Sequence, residues 1–166
     1  FSNRDIMRAA ANTLVVAVVS TLAATLLGTL LAIGVEIRRR RGRLLETIIF
    51  APMVIPDIVL AIALLSFFSM LEVRLGLHTI VIAHVVFNLA FVCAVVRARL
   101  RTFDWSIVEA SADLGASTLT TLRRVVLPVL LPAVIAGALL AFTLSVDEFI
   151  IAFFTAGAQR SSITLP

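Results

Sequence analysis

From Leu14 to Val35 the chain carries no charged side chain, and a helix of about 22 residues is long enough to cross a hydrocarbon core of roughly 30 Å. In lipid there is no water to satisfy the backbone, so a segment of this kind closes its own hydrogen bonds as a helix. Further apolar runs occupy about residues 47–71, 79–96 and 132–154. The 166 residues are 61% hydrophobic with a mean hydropathy of +1.12, against about 45–50% apolar content in soluble domains. The chain therefore reads as an all-α membrane protein, a bundle of four transmembrane helices.

A formal charge of +4 and a pI near 11.2 would suggest a nucleic-acid partner in a soluble chain. Here the basic residues sit at the ends of the apolar runs, which is a topology signal, and no nucleic acid is expected. Ten of the 14 basic residues fall on one side, namely Arg38–Arg41, Arg43, Arg97, Arg99, Arg101, Arg123 and Arg124. Arg4, Arg8, Arg74 and Arg160 fall on the other. The bias makes the first side cytoplasmic. The block Arg38 to Arg43 is read as a topology anchor, with binding of lipid headgroups as the alternative. Every basic residue is Arg. A P-loop needs a Lys to reach the β- and γ-phosphates, so ATP has no standard site in this chain. Cys93 is alone, which excludes an internal disulfide or a cysteine metal site. The sequence opens on Phe1 without a charged leader and cleavage site, so no signal peptide is read.

Polar residues and prolines interrupt the spans. In the second, Pro56 removes a hydrogen bond and should bend or open the helix. Counted from Thr47 along a straight helix, Asp57 lies roughly 15 Å in, near the midplane. A carboxylate at that depth is costly, and it either lines a path or serves a helix contact or cap. In the third span His84 and Asn88 share a helix face, lining a cavity or gluing helices together. In the fourth, Asp147 and Glu148 lie roughly 22 Å from Pro132 on one continuous helix, about 100° apart, so one at most faces a pore. Ala24, Gly28 and Ala32, and again Ala133, Gly137 and Ala141, set small residues at every fourth position. Such a face admits a neighbouring helix, although glycine is also simply tolerated in membrane helices.

Between the third and fourth spans lies a polar island, Glu109-Ala-Ser-Ala-Asp-Leu-Gly115, followed after nine residues by Val125-Val-Leu-Pro128. Ser106 and Glu109 have the spacing of a capping box, which predicts a helix starting there. Gly115 tolerates positive φ and permits a turn into a second amphipathic segment, Ser117 to Val126, ending before Pro128. This pattern resembles the signature loop of the binding-protein-dependent ABC importer permeases, Glu-Ala-Ala, three residues, Gly, nine residues, Ile-x-Leu-Pro. Ser111 replaces the second Ala and Val125 the Ile. The resemblance implies that residues 106–127 form a cytoplasmic coupling helix docking on an ATPase, with Glu109, Ala110, Asp113, Gly115, Leu127 and Pro128 as its coupling residues. Pro52-Met-Val-Ile-Pro56-Asp57, Ala83-His84 and Phe142-Thr-Leu-Ser-Val-Asp147-Glu148-Phe149 look like the spermidine/putrescine branch of that family.

The resemblance implies the central part of a six-helix permease fold, with the first and last helices outside the chain. It also implies a bacterial inner-membrane location and a subunit that is not itself an enzyme, ATP being bound by a partner. The implied partners are an ABC ATPase dimer, a second permease subunit, a periplasmic or lipid-anchored solute-binding protein and the lipid bilayer. The expected solute is a cation, most of all a polyamine, passing Asp57, His84, Asn88, Asp147 and Glu148. Permeases for iron, thiamine or sulfate share the signature loop and form the alternative within the family. An ATP-independent channel or secondary transporter would show its own coupling machinery, often an internal repeat, and none is found. A scaffold without transport leaves the intramembrane acids without a purpose.

Overall fold

The computed structural model describes residues 3–37 and 43–157. Arg38 to Arg41 of the basic block, Arg160 and the terminal segment from Ser161 lie outside the described residues. All regular structure among the described residues is helical: α1 (Asn3–Ile37), α2 (Arg43–Val54), α3 (Asp57–Met70), α4 (Leu77–Leu100), α5 (Ser106–Asp113), α6 (Thr118–Thr121), α7 (Leu127–Asp147) and α8 (Phe149–Thr155). A π-helical turn, Leu122–Val126, joins α6 to α7. Among the described residues, three helical stretches are long and apolar enough to cross a membrane, four if α2 and α3 count as one broken span.

The centre of the bundle is α4, packed between α1 and α7. Lipid tails are as apolar as leucine, so membrane helices associate through close packing, which small residues permit. Both small-residue faces read from the sequence meet the same side chain. A Cβ placed on Gly28 of α1 would stand 2.9 Å from the Val92 Cβ of α4, and one on Gly137 of α7 would stand 3.4 Å from a Val92 methyl. Ala24, Ala32 and Ala141 are fully buried beside these contacts. The matched pairs Val16 with Ile80 and Gly28 with Val92 show that α1 and α4 run parallel. Gly137 at Val92 and Ser145 at His84 show that α7 runs antiparallel to them.

Two expected spans are broken. The second turns by 115° between Val54 and Asp57, because Pro56 has no N–H to continue the ladder and clashes with the preceding turn. Asp57 is the first residue past the bend, so a straight-helix count from Thr47 applies as far as Val54. The fourth span, expected as one helix over 132–154, ends instead at Asp147. Glu148 leaves helical conformation (φ −80°, ψ 90°) and α8 starts after it.

The start of that span also differs. The second half of the polar loop does not stop before Pro128 but runs on, so one helical stretch extends from Thr118 to Asp147. Pro128 lies in the first turn of α7, where its missing N–H would otherwise break the α-helical ladder. The π turn just before it, with Leu127 N–H donating to the Leu122 carbonyl, widens the helix by one residue and carries it past the proline.

The glycine contacts give a paired prediction. Gly28→Ala forces Val92 or the α4 backbone to move and should cost about 1–3 kcal/mol of packing, more than the ~1 kcal/mol that alanine gains in helix propensity. Gly34→Ala meets nothing within 4 Å and should be neutral or slightly stabilising. Thermal unfolding in detergent should show a lower Tm for the first variant and not for the second.

Candidate functional site

The two breaks lie next to each other. Leu60 and Ala61 of α3 share an apolar cluster with Ile151 of α8 and with Ala83 and Phe87 of α4. Beyond both short helices, Gly157 (φ 80°) backs onto Leu75, close enough that a Cβ there would lie 2.8 Å from the Leu75 Cβ. Thus α3 and α8 run side by side in the same direction, and their first turns meet near the level of His84. That level is roughly 10 Å along α4 from Leu77.

Each first turn carries an acid. Asp57 is half-buried at the start of α3, and Glu148 is half-buried as the N-cap of α8, where its Oε1 accepts from Ile151 N–H at 3.0 Å. Asp147, the last residue of α7, is exposed. Asp57 and Asp147 both lie within electrostatic reach of Glu148. The break at the start of α3 and the break after α7 thus place the three acids close enough to act on one another. Carboxylates at helix starts also meet the positive end of the backbone dipoles. The cap explains how Glu148 is tolerated, and it is not legible in an apolar run that reads as one continuous helix.

His84 and Asn88 share a face as their spacing requires, but that face looks into the three-helix core. Their exposures are 1% and 0%. His84 Nδ1 bonds Ser145 Oγ of α7 at 2.7 Å, and Ser145 Oγ bonds Ser20 Oγ of α1 at 3.0 Å. Among the described residues, His84 Nε2 and both amide atoms of Asn88 are buried without a hydrogen-bond partner. The arrangement brings His84 together with helix neighbours and not with Asp57.

The polar loop forms a helix-turn-helix. α5 is not started by the expected Ser106–Glu109 capping box: Ser106 is already helical, and its N–H donates to Asp104 Oδ1 at 3.0 Å. Hydrogen bonds from the Ser106 side chain and backbone hold the Asp104 carboxyl below the usual carboxylate range. The other end closes on Gly115 at φ 78°, with Gly115 N–H bonded to the Ala112 carbonyl and Ala116 N–H to that of Ser111. This paired C-terminal cap needs a left-handed residue, which glycine supplies without a Cβ penalty.

Ser117 caps α6, accepting from Thr120 N–H. Ser111, the departure from the family's alanine, bonds Thr121 across the turn at 2.8 Å. Phe103, buried, meets Trp105 edge-on at 5.1 Å, and Trp105, Val108 and Leu122 pack on the bundle core. The back of the loop is thereby fixed while Glu109, Ala110, Asp113, Leu114 and Gly115 are exposed. Leu127 and Pro128 lie beyond the π turn, also exposed, at the start of α7.

One cluster escaped sequence reading. Arg97, grouped there with a topology cluster, is 6% exposed and forms ion pairs with Glu46 of α2 and, at 3.5 Å, with Glu36 of α1. Its guanidinium also lies 5.8 Å from the Phe50 ring centre. The available signal was the pair of acids flanking the basic block, Glu36 at the end of one apolar run and Glu46 at the start of the next.

This is the architecture of a membrane transport permease: an all-helical bundle, broken spans and a capped helix-turn-helix projecting from one end. The profile of the family described as binding-protein-dependent transport system inner membrane component matches residues 24–165, and the chain belongs to that family. It is 41% identical over 165 residues to the spermidine/putrescine transport system permease protein PotC of Escherichia coli (strain K12), covering 99% of this chain and 62% of that protein. PotC of Haemophilus influenzae is 37% identical over 166 residues, covering 99% and 65%. The putrescine transport system permease protein PotI of Escherichia coli (strain K12) is 40% identical over 167 residues, covering 96% and 59%. The chain thus spans about three fifths of the length of these relatives. Among solved structures, the MetNI methionine ABC transporter in inward-facing conformations superposes with a TM-score of 0.73 at 22% identity, over 86% of this chain and 70% of that one. At that identity the match speaks for the fold.

The Arg97 cluster yields a stability prediction. Arg97→Leu leaves the buried Glu36 carboxylate without this partner and should destabilise by about 3–5 kcal/mol. Arg99→Leu, at an exposed position of the same helix, should stay within about 0.5 kcal/mol. Thermal unfolding of the two purified variants should separate them clearly.

Proposed function

We propose that this chain is the permease subunit of an ATP-driven importer in a bacterial inner membrane and forms half of the pathway for a polyamine. A solute-binding protein delivers the solute to the end where α4 begins. A second permease subunit supplies the other half of the path. An ATPase dimer docks on the 106–127 loop at the cytoplasmic end, binds and hydrolyses ATP, and drives the helices between outward- and inward-open arrangements.

The observation that carries the cationic reading is the meeting of two helix breaks at one level, with Asp57 at one and Asp147 and Glu148 at the other. Non-helical backbone at membrane depth is tolerated where it lines a cavity or is covered by protein, and transporters bind solutes at such breaks. The sign of the charge selects the solute. An anion would be repelled by these carboxylates, whereas a protonated amine exchanges water for them and is released again if each contact is modest. The relatives' names, spermidine/putrescine and putrescine permeases, agree with a polyamine. For the loop, the support is its exposed acidic and apolar face on a back that is fixed to the bundle.

Uptake of labelled spermidine and putrescine by the full complex tests the pathway. Asp57→Asn, Asp147→Asn and Glu148→Gln should assemble, the last keeping an oxygen for Ile151 N–H, and at least one should lose roughly tenfold in rate, equivalent to about 1.4 kcal/mol. Parental rates in all three, or import of an anion alone, would overturn the reading.

The loop is tested separately by Gly115→Val. A Cβ at Gly115 meets nothing within 4 Å, so its effect is confined to the left-handed backbone, at about 1–2 kcal/mol. Insertion should persist while co-purification of the ATPase and uptake both fall. Undiminished association and transport would count against the docking role.

A further inference from the structure

No proline or glycine marks the end of α7. The helix stops between Asp147 and Glu148 in the sequence Leu144-Ser-Val-Asp-Glu-Phe149, so the position of the break is set by tertiary contacts on its two sides. On the far side Glu148 caps α8 through Ile151 N–H. On the near side, in the last turn of α7, Ser145 is the anchor. Its hydroxyl is 2.7 Å from His84 Nδ1 on α4 and 3.0 Å from Ser20 Oγ on α1, and Ser20 Oγ donates to the Ala17 carbonyl at 3.3 Å. The three side chains are 3%, 1% and 0% exposed in the order Ser145, His84, Ser20.

The Ser145 hydroxyl donates to one of its two neighbours and accepts from the other, and the His84 Nδ1–Ser145 bond forms with either imidazole tautomer. A buried hydroxyl held by a donor on one helix and an acceptor on another has a single orientation, and losing one partner leaves the others unsatisfied in a low-dielectric core. Asp147 lies two residues beyond this anchor and Glu148 three, roughly 3–5 Å along the helix axis. The rotation of the last turn of α7, and with it the direction in which Asp147 leaves the helix, is therefore coupled to the His84–Ser145 bond.

We infer that His84 is a positioning residue for the acidic break: acting through Ser145 and without touching the solute, it sets where Asp147 points and where Glu148 begins to cap α8. The inference rests on the reading of these acids as part of the solute pathway, but its structural half is measurable without any solute.

The test uses the assembled complex with Cys93 replaced by Ala, and a single cysteine introduced either at Asp147 or at Leu139, an exposed α7 residue two turns earlier. The rate of reaction with a small cationic methanethiosulfonate is followed in each. His84→Leu should change the rate at position 147 by roughly tenfold, the scale of one buried hydrogen bond, and leave position 139 unchanged. His84→Asn, whose amide can donate from the place of Nδ1, should restore the parental rate. Ser145→Ala, a smaller change that removes the same anchor, should reproduce the effect of His84→Leu and serves if the leucine variant fails to assemble.

In complexes that retain Asp147, spermidine uptake per assembled complex should fall in His84→Leu and Ser145→Ala and recover in His84→Asn. Unchanged labelling at position 147 in Ser145→Ala, or equal changes at 139 and 147, would overturn the positioning role. Labelling that responds as expected in a complex whose parental form imports no polyamine would uphold the positioning and refute the polyamine reading.

Discussion

Val92 touches both of its neighbouring helices at a glycine, Gly28 on one side and Gly137 on the other, and the architecture depends on that double contact. Lipid offers apolar side chains no gain from leaving it, so three membrane helices stay together only where their backbones come close enough for many weak contacts to add. With α1, α4 and α7 locked in register, the polar groups they carry are locked too. The chain His84–Ser145–Ser20 closes toward one end of the bundle, and Arg97 meets Glu36 and Glu46 toward the other. Such polar contacts in a low-dielectric interior tolerate little misplacement.

Against this rigid trio stand the broken elements. α2 is held to α4 beside the Arg97 ion pairs, and α3 leans on α8. Each break carries a carboxylate, Asp57 at the start of α3 and Glu148 at the start of α8. The second break also supplies Glu148 with the backbone N–H of Ile151. A helix interrupted in this manner combines two needs of a transporter: polar groups at depth, and joints at which packed segments can pivot without melting.

The signature loop is the most legible part of the molecule, since its geometry is local. Gly115 was expected at positive φ and is found there, and its paired cap follows from backbone conformation alone. The error at the other end of α5 is also local in kind. Ser106 and Glu109 have the right spacing, yet the nearer Asp104 carboxylate takes the Ser106 N–H that the box would have assigned to Glu109, and Glu109 N–H bonds the Trp105 carbonyl instead of the Ser106 hydroxyl. The continuation of the loop into α7 was missed because Pro128 reads as a stop, whereas a π turn gives the helix the slack to pass it.

What the sequence determined by itself was whatever depends on length and on near neighbours: apolar runs long enough for lipid, small residues at every fourth position, a bend at Pro56, the turn at Gly115. Tertiary structure alone decided which groups meet. Nothing within the Leu144–Phe149 stretch announces a helix end, and nothing near Arg97 distinguishes it from the exposed Arg99 and Arg101. The end is set by partners some 60 and 125 positions away in sequence, His84 and Ser20 on Ser145, and Arg97 is claimed by acids on two other helices. Periodicity records which face of a helix is polar. Which atom a polar group will reach is decided by how deeply two helices approach, and here that depth is set by a valine between two glycines.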